Sequence, residues 1–262
     1  ALYFKEFSKA VVSNSLITHC AADDDGGAIC CHDSSPRILY NTIKNNSSGS
    51  GGGGIYCSSG SPLILGNTIT GNTASDGAAM ACRYESNPFI IDNIISNNTA
   101  SNCCGGIWCY NSNSLISGNT ISYNTANMAV CVVSAGAIIL DGGSHIITGN
   151  TIMHNTAAGN GSGGMFCLNG TVEITDNVFS YNTALNTSSG GGIKCAYCNA
   201  IVSHNIISNN TSAYDGGGIY CLGDNVVVSY NFISNNMAAM FGGGVYCRNE
   251  IQHVSDNVVS NN

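Results

Sequence analysis

Gly54-Ile55-Tyr56-Cys57, then Pro62-Leu63-Ile64-Leu65-Gly66-Asn67, then Thr68-Ile69-Thr70-Gly71-Asn72-Thr73-Ala74 is the stretch that decides the fold. Apolar residues stand at every second position in three runs too short for helices, and Gly, Asn and Ser punctuate them. Side chains alternate across a strand, so each run buries one face and exposes the other. The same grammar returns about every 26 residues from one end of the chain to the other. A fixed period of that length, built from strands, predicts an all-β solenoid in which each repeat is one coil of three strands.

Asparagine marks the register of the coils. One column reads Asn14, Asn41, Asn67, Asn93, Asn119, Asn150, Asn177, Asn205, Asn231 and Asn257, which sets the number of rungs at ten. A second lies five residues further on, from Asn46 and Asn72 to Asn236 and Asn262, with His19 in the first rung. Val11, Ile38, Ile64 and Ile90 open one inward column three residues before the first Asn, and Leu16, Ile43, Ile69 and Ile95 open another two residues after it. Amides stacked about 4.8 Å apart can hydrogen-bond from rung to rung, so both Asn columns read as scaffold. Ten rungs at that spacing predict a rod about 48 Å long.

Composition fits one elongated domain over residues 1–262. Charged residues make up only 8%, hydrophobic residues 44%, and no shift in composition marks a boundary. The net charge of −8 reflects seven Lys and Arg in all, which weighs against nucleic acid and anionic membrane surfaces. No apolar run is long enough to span a bilayer as a helix.

Eight of the 14 cysteines fall at one rung position, namely Cys30, Cys57, Cys82, Cys109, Cys167, Cys195, Cys221 and Cys247, with Leu140 in the equivalent place. Leucine among them says that the site asks for a small apolar group, which a buried thiol supplies. Neither a metal array nor a disulfide framework is expected there. Outside the column, Cys103 or Cys104 is expected near Cys131, and Cys104–Cys131 is the disulfide expected from adjacent turns.

The recurring pair of Gly-Gly-[Ala/Ile]-Ile and [Ile/Phe]-x-x-Asn, as in Gly26-Gly27-Ala28-Ile29 and Phe179-Ser180-Tyr181-Asn182, resembles right-handed parallel β-helix repeat proteins of the pectate-lyase-like superfamily. It is also similar to the repeats of chlamydial polymorphic outer-membrane adhesins. The resemblance spans the chain and implies a right-handed coil. It does not choose a function, because such folds carry polysaccharide lyases and hydrolases, tailspikes and adhesins alike.

Catalysis is not expected. Asp92, Asp176 and Asp256 share a column but stand rungs apart, Asp23-Asp24-Asp25 reads as a solvated turn, and neither catalytic residues, metal ligands nor a cofactor are assigned. The outward position of the first strand carries aromatics such as Tyr56, Trp108, Phe166 and Tyr220, a stripe that would suit sugar rings if open to solvent, so polysaccharide is carried as a partner. Thr42, Thr68, Thr70, Thr120, Ser122 and Thr151 line the third strand's outer face, which keeps ice binding as an alternative. Lys44, Ile94, Met153, Ile206 and Phe232 interrupt those rows.

On the second strand, Leu39, Leu63, Leu65, Phe89, Ile91, Leu115 and Ile146 should all point outward and touch, a candidate lateral interface. The chain begins on a first strand and stops after a third, with no capping helix. Leu2, Tyr3, Phe4, Val254 and Val259 are therefore expected to join copies head to tail into a filament. Sequons at Asn46, Asn97, Asn160, Asn169, Asn186 and Asn209 agree with an extracellular or cell-surface setting. The function expected from all this is a structural surface subunit associating with its own copies. An ordered part of a longer adhesin or carbohydrate-binding protein, an ice-binding protein and a polysaccharide lyase or hydrolase follow in that order.

Overall fold

The computed structural model describes residues 2–128, 133–223, 225–248 and 252–262. The chain winds as a coil, and every turn lays one strand in each of three ten-stranded sheets. Sheet one runs from Leu2–Phe4 to Val245–Arg248, sheet two from Val11–Ser13 to Gln252–Ser255, and sheet three from Leu16–Thr18 to Val258–Ser260. Neighbouring strands are parallel and in register, Ile64 facing Ile38 and Ile90, and Ile69 facing Ile43 and Ile95. A fourth sheet escaped the sequence reading. It stacks nine two-residue strands, among them Thr73–Ala74, Thr99–Ala100 and Thr125–Ala126, directly after the second Asn column.

The inward columns form one continuous core. Ile38, Ile64, Ile90, Ile116, Ile147 and Ile174 from sheet two meet Ile43, Ile69, Ile95, Ile121, Ile152 and Phe179 from sheet three, all fully buried. A buried side chain of this size contributes about 1.5–3 kcal/mol, so the stack of β-branched residues is the main stabilising element. Sheet one closes the triangle with Ile55, Met80, Ile107 and Ile138, and with the thiols two residues further on.

Each corner depends on a left-handed residue followed by a ladder Asn. Tyr40, Asp92, Tyr123, His154, Tyr181 and Tyr230 all have φ between 53° and 57°. The strain of a bulky residue in that region is offset by the Asn that follows, whose amide holds the corner. Asn119 shows the arrangement. Its Oδ1 accepts from the backbone N–H and the Nδ2 of Asn93 at 2.9 and 3.0 Å, while its Nδ2 donates to Asn150 Oδ1 at 3.0 Å and to the Ile90 carbonyl at 2.9 Å. All four hydrogen-bonding positions of the amide are used, at 1% exposure. The second ladder repeats this from Asn46 to Asn262.

The first rung corrects the sequence alignment by one residue. Val12, not Val11, pairs with Ile38 and is buried, and Ile17, not Leu16, pairs with Ile43. Asn14 is therefore not in the ladder; Ser15 stands there and gives its N–H to Asn41 Oδ1 at 3.0 Å. In the second ladder Cys20 takes the place assigned to His19 and donates to Asn46 Oδ1 at 3.0 Å. A comparable slip affects sheet one. Cys31, not Cys30, pairs with Cys57 and faces the core, whereas Cys30 shares the outward column with Tyr3 and Tyr56. Backbone pairing follows the alternation of inward and outward side chains, and a one-residue shift exchanges the two faces completely.

The outer face of sheet one is not open. Cys30, Tyr56, Ala81, Ile139, Phe166, Lys194 and Tyr220 point outward yet are at most 7% exposed, because the glycine-rich arm that ends each rung folds back over them. The approach is close enough to demand glycine. A Cβ on Gly216, at φ 64°, would stand 2.8 Å from the Tyr220 Cβ, and one on Gly26, at φ 74°, 2.5 Å from the Cys30 Cβ.

Candidate interaction face

Sheet two presents the residues expected to form a lateral interface, in two columns rather than one field. Leu63, Phe89, Leu115 and Ile146 pair in succession along one column; Leu39, Leu65 and Ile91 form the other, two residues on. Phe89 and Ile146 are 46% and 48% exposed, and the rest are half-buried against their neighbours. Ile201, 50% exposed, extends the first column and was missed because Glu173 interrupts the apolar run before it. An open groove of about 570 Å³ follows this column, floored by Phe89, Leu115, Ile146 and Ile201, with Asn113 and Asn199 on its rim.

The full outward column, from the first rung to the tenth, is Val11, Arg37, Leu63, Phe89, Leu115, Ile146, Glu173, Ile201, Val227 and His253. Arg37 and Glu173 are its exposed charges, and neither belongs to an ion pair among the described residues. Apolar atoms open to water over this many rungs on a protein surface mark a contact site.

The aromatic stripe of sheet one does not serve as the sugar platform considered from sequence. Tyr56 and Phe166 are 2% and 3% exposed beneath the arms. Stacked, exposed rings stand at the corners. Tyr123, His154 and Tyr181 stack at 4.8 and 5.0 Å with planes within 8° of parallel. Each ring thus covers the next one's face, an arrangement that braces the left-handed corner positions.

Two cations, the buried Lys194 and the half-buried Arg83, lie under the arms. Arg83 stacks 4.4 Å over Trp108 and pairs with Asp76 at 3.6 Å. Lys194 sits between Phe166 and Tyr220, 4.8 and 5.4 Å from the ring centres, and gives a hydrogen bond to Asn160 Oδ1 at 3.0 Å. Burial pulls the Lys194 ammonium down to about 8. The sequence places Lys194 in the outward column between Phe166 and Tyr220, but gives no sign that its ammonium is enclosed there.

The acidic turn Asp23-Asp24-Asp25 is more structural than expected, since Asp25 Oδ1 accepts the Gly51 N–H at 2.8 Å. Asp76 and Asp215 repeat this cap toward Cys103 and Phe241. Asp92, Asp176 and Asp256 occupy left-handed corner positions, with Gly118 and Gly149 in that position on the rungs between the first two. Among the described residues no three His, Cys, Asp or Glu side chains are grouped to hold a metal ion. Thr42, Thr68, Thr120 and Thr151 do stack on sheet three, with Ile94 between them.

The thiols stack in two runs, Cys31–Cys57–Cys82–Cys109 and Cys167–Cys195–Cys221–Cys247, with Leu140 between them. Hydrogen bonds to Cys31 and Cys82, together with burial, hold the Cys57 thiol well above its ordinary value. Burial, then the neighbouring Cys31 and Asp25, pushes Cys30 up to about 12. Cys104 is a correction: its thiol is free and buried and donates to the Ile107 carbonyl at 3.1 Å. Its neighbour Cys103 is the one that is disulfide-bonded. The expected partner Cys131 lies outside the described residues.

Asn46 is a second correction. It is 1% exposed, inside the second ladder, with its Nδ2 shared between Asn72 Oδ1 and the Ile17 carbonyl, and leaves no room for a glycan. Asn97, Asn160, Asn169 and Asn186 lie on the surface, and Asn209 is half-buried. Leu2, Tyr3 and Phe4 form the outermost strand of sheet one, and Val254 and Val259 lie in the tenth rung, at the two extremities of the described stack.

Comparison with known proteins agrees with this geometry. The family model described as right handed beta helix region matches residues 1–170, and the Chlamydia polymorphic membrane protein repeat matches residues 206–222. No curated protein and no solved structure matches the chain. A match over more than half the chain, on a coil of stacked parallel rungs, makes this protein a member of the right handed beta helix family.

Proposed function

We propose that this chain is the solenoid of a surface-displayed, adhesin-like protein, a stiff rod that acts by contact through its lateral face. The observation that carries the reading is the apolar column of sheet two, Leu63, Phe89, Leu115 and Ile146, which stays open to solvent while the aromatic column of sheet one is covered; Ile206, Phe232 and Val258 add a shorter open apolar run on sheet three. The match to a polymorphic membrane protein repeat supports display outside the cell. So do the sequons that reach the surface at Asn97, Asn160, Asn169 and Asn186. The polar groups offer less to a reaction than to a scaffold: two Asn ladders use their amides for cohesion between rungs.

Antibody labelling of intact cells that produce the protein tests this reading. Labelling without permeabilisation is expected, together with loss of the epitope on mild protease treatment. Labelling only after permeabilisation would overturn it.

A further inference from the structure

The charges on sheet two are placed symmetrically about the apolar patch. Counted by rung, Arg37 is second and Glu173 seventh, and the midpoint between them falls between the fourth and fifth rungs, between Phe89 and Leu115. A twofold axis lying along the strand direction at that point turns a second copy over and reverses its rung order. The first rung of one copy then faces the eighth of the other, the second the seventh, the third the sixth, and the fourth the fifth. Because the strand direction is kept, the outward column faces itself.

We infer that this face joins two copies of the chain as an antiparallel lateral dimer, each Arg37 meeting Glu173 of the other copy. The inference rests on the contact-surface reading above and names the partner. Every residue of the column finds a matched counterpart over eight rungs: Val11 with Ile201, Leu63 with Ile146, and Phe89 with Leu115. Val11 and Ile201, 57% and 50% exposed in the single chain, become the apolar ends of the strip. Arg37 and Glu173, without an ion pair among the described residues, form two identical ion pairs flanking an apolar centre.

The alternative twofold, along the rod, keeps rungs in register and lays this column over the neighbouring one. Arg37 would then face Leu39, and Glu173 would face Thr175, both left without a counter-charge. Packed sheets stand about 10 Å apart, a gap that an Arg and a Glu side chain bridge together. The shared face is roughly 34 Å long and 10–17 Å wide, so about 1,000 Å² is buried in total. That is the lower limit of a specific interface, and the dimer is correspondingly weak.

Sedimentation velocity of the purified chain, from about 1 µM to about 500 µM, tests the inference over the range where such an interface associates. The wild type is expected to dimerise with rising concentration. Arg37→Glu and Glu173→Arg should each raise the dissociation constant at least tenfold, by facing like charges across the twofold. Mixing the two variants in equal amounts should restore dimers, because only the mixed pair brings Arg to Glu at both contacts. That recovery also shows that both variants are folded. A wild type monomeric throughout would overturn the inference, as would an Arg37→Glu variant that dimerises like wild type, or a mixture no better than its components. None of these outcomes bears on whether the protein is displayed at the surface.

Discussion

Replacing Asn119 by Ala probes the ladder where it is most enclosed. The substitution removes Oδ1, which accepts both the backbone N–H and the Nδ2 of Asn93, and it removes Nδ2, which serves Asn150 and the Ile90 carbonyl. Asn150 Oδ1 keeps the backbone N–H of residue 119 at 2.9 Å, and Asn93 Nδ2 keeps the Ile64 and Ile91 carbonyls, each at 2.9 Å, so the main loss is the buried backbone N–H of Asn93 left without an acceptor. At about 1–3 kcal/mol for an orphaned buried donor, the corner should weaken by about 1–3 kcal/mol. Asn257→Ala breaks the same two bonds from Asn231, but these are only partly buried and water can replace the lost acceptor. Its cost should stay near 1 kcal/mol. Rungs touch only their neighbours, so hydrogen exchange read by mass spectrometry on peptides around Asn93 and Asn119 is the appropriate assay. Protection there should fall for Asn119→Ala, with little change near Asn231. A loss below about 1 kcal/mol, or equal losses at the two sites, would refute the claim that the amide ladder stabilises the corners.

Lys194 should make stability depend on pH in the alkaline range. Its folded value lies near 8, below that of the unfolded chain, so the unfolded state holds more protons between about pH 8 and 10.4. Stability from this group therefore rises through that window, by up to about 3 kcal/mol, and its cost is fully present below pH 8. Denaturation curves of wild type and Lys194→Met at pH 7 and pH 10 should differ more at the lower pH; an equal difference at both would contradict an ammonium held low by burial. Native thiol labelling should reach the exposed Cys247 and the half-buried Cys20 first, leaving Cys57, Cys82, Cys109 and Cys195 unmodified until the chain is denatured. Rapid native labelling of Cys82 would show that the column is open. Glycopeptide mapping after expression in a glycosylating host should find Asn46 bare while Asn97, Asn160, Asn169 or Asn186 carry glycan; a glycan on Asn46 of the folded protein would contradict its place in the ladder.

Much of the fold is legible in the sequence because a solenoid converts identity at a fixed spacing directly into contact. Asn67 recurs as Asn93 and Asn119, Ile64 as Ile90 and Ile116, and each pair is adjacent in space. The reading failed where identity and pairing part company. Asn14 looks like a ladder residue and Cys30 like a member of the thiol column, but the inward alternation of their strands selects Ser15 and Cys31. The fourth sheet was visible only as a Thr-Ala recurring after the second-column Asn from Asn72 to Asn182, too short to carry an alternation of its own.

The candidate face divides in the same way. That Leu63, Phe89, Leu115 and Ile146 share a column follows from the repeat alone, since strand periodicity sends every second side chain to one side. That this column stays open, while the aromatic column of sheet one is sealed, required the tertiary structure. Gly26 and Gly216, each four residues before the outward residue they approach, let the arms lie flush against sheet one, and the alternation within the strand does not report that Tyr56 or Phe166 is covered. The sequence by itself determined the coil, its ladders and the direction of each side chain. Which outward faces meet water was decided only by the path of the arms over the strands that follow them, which no period within a strand encodes.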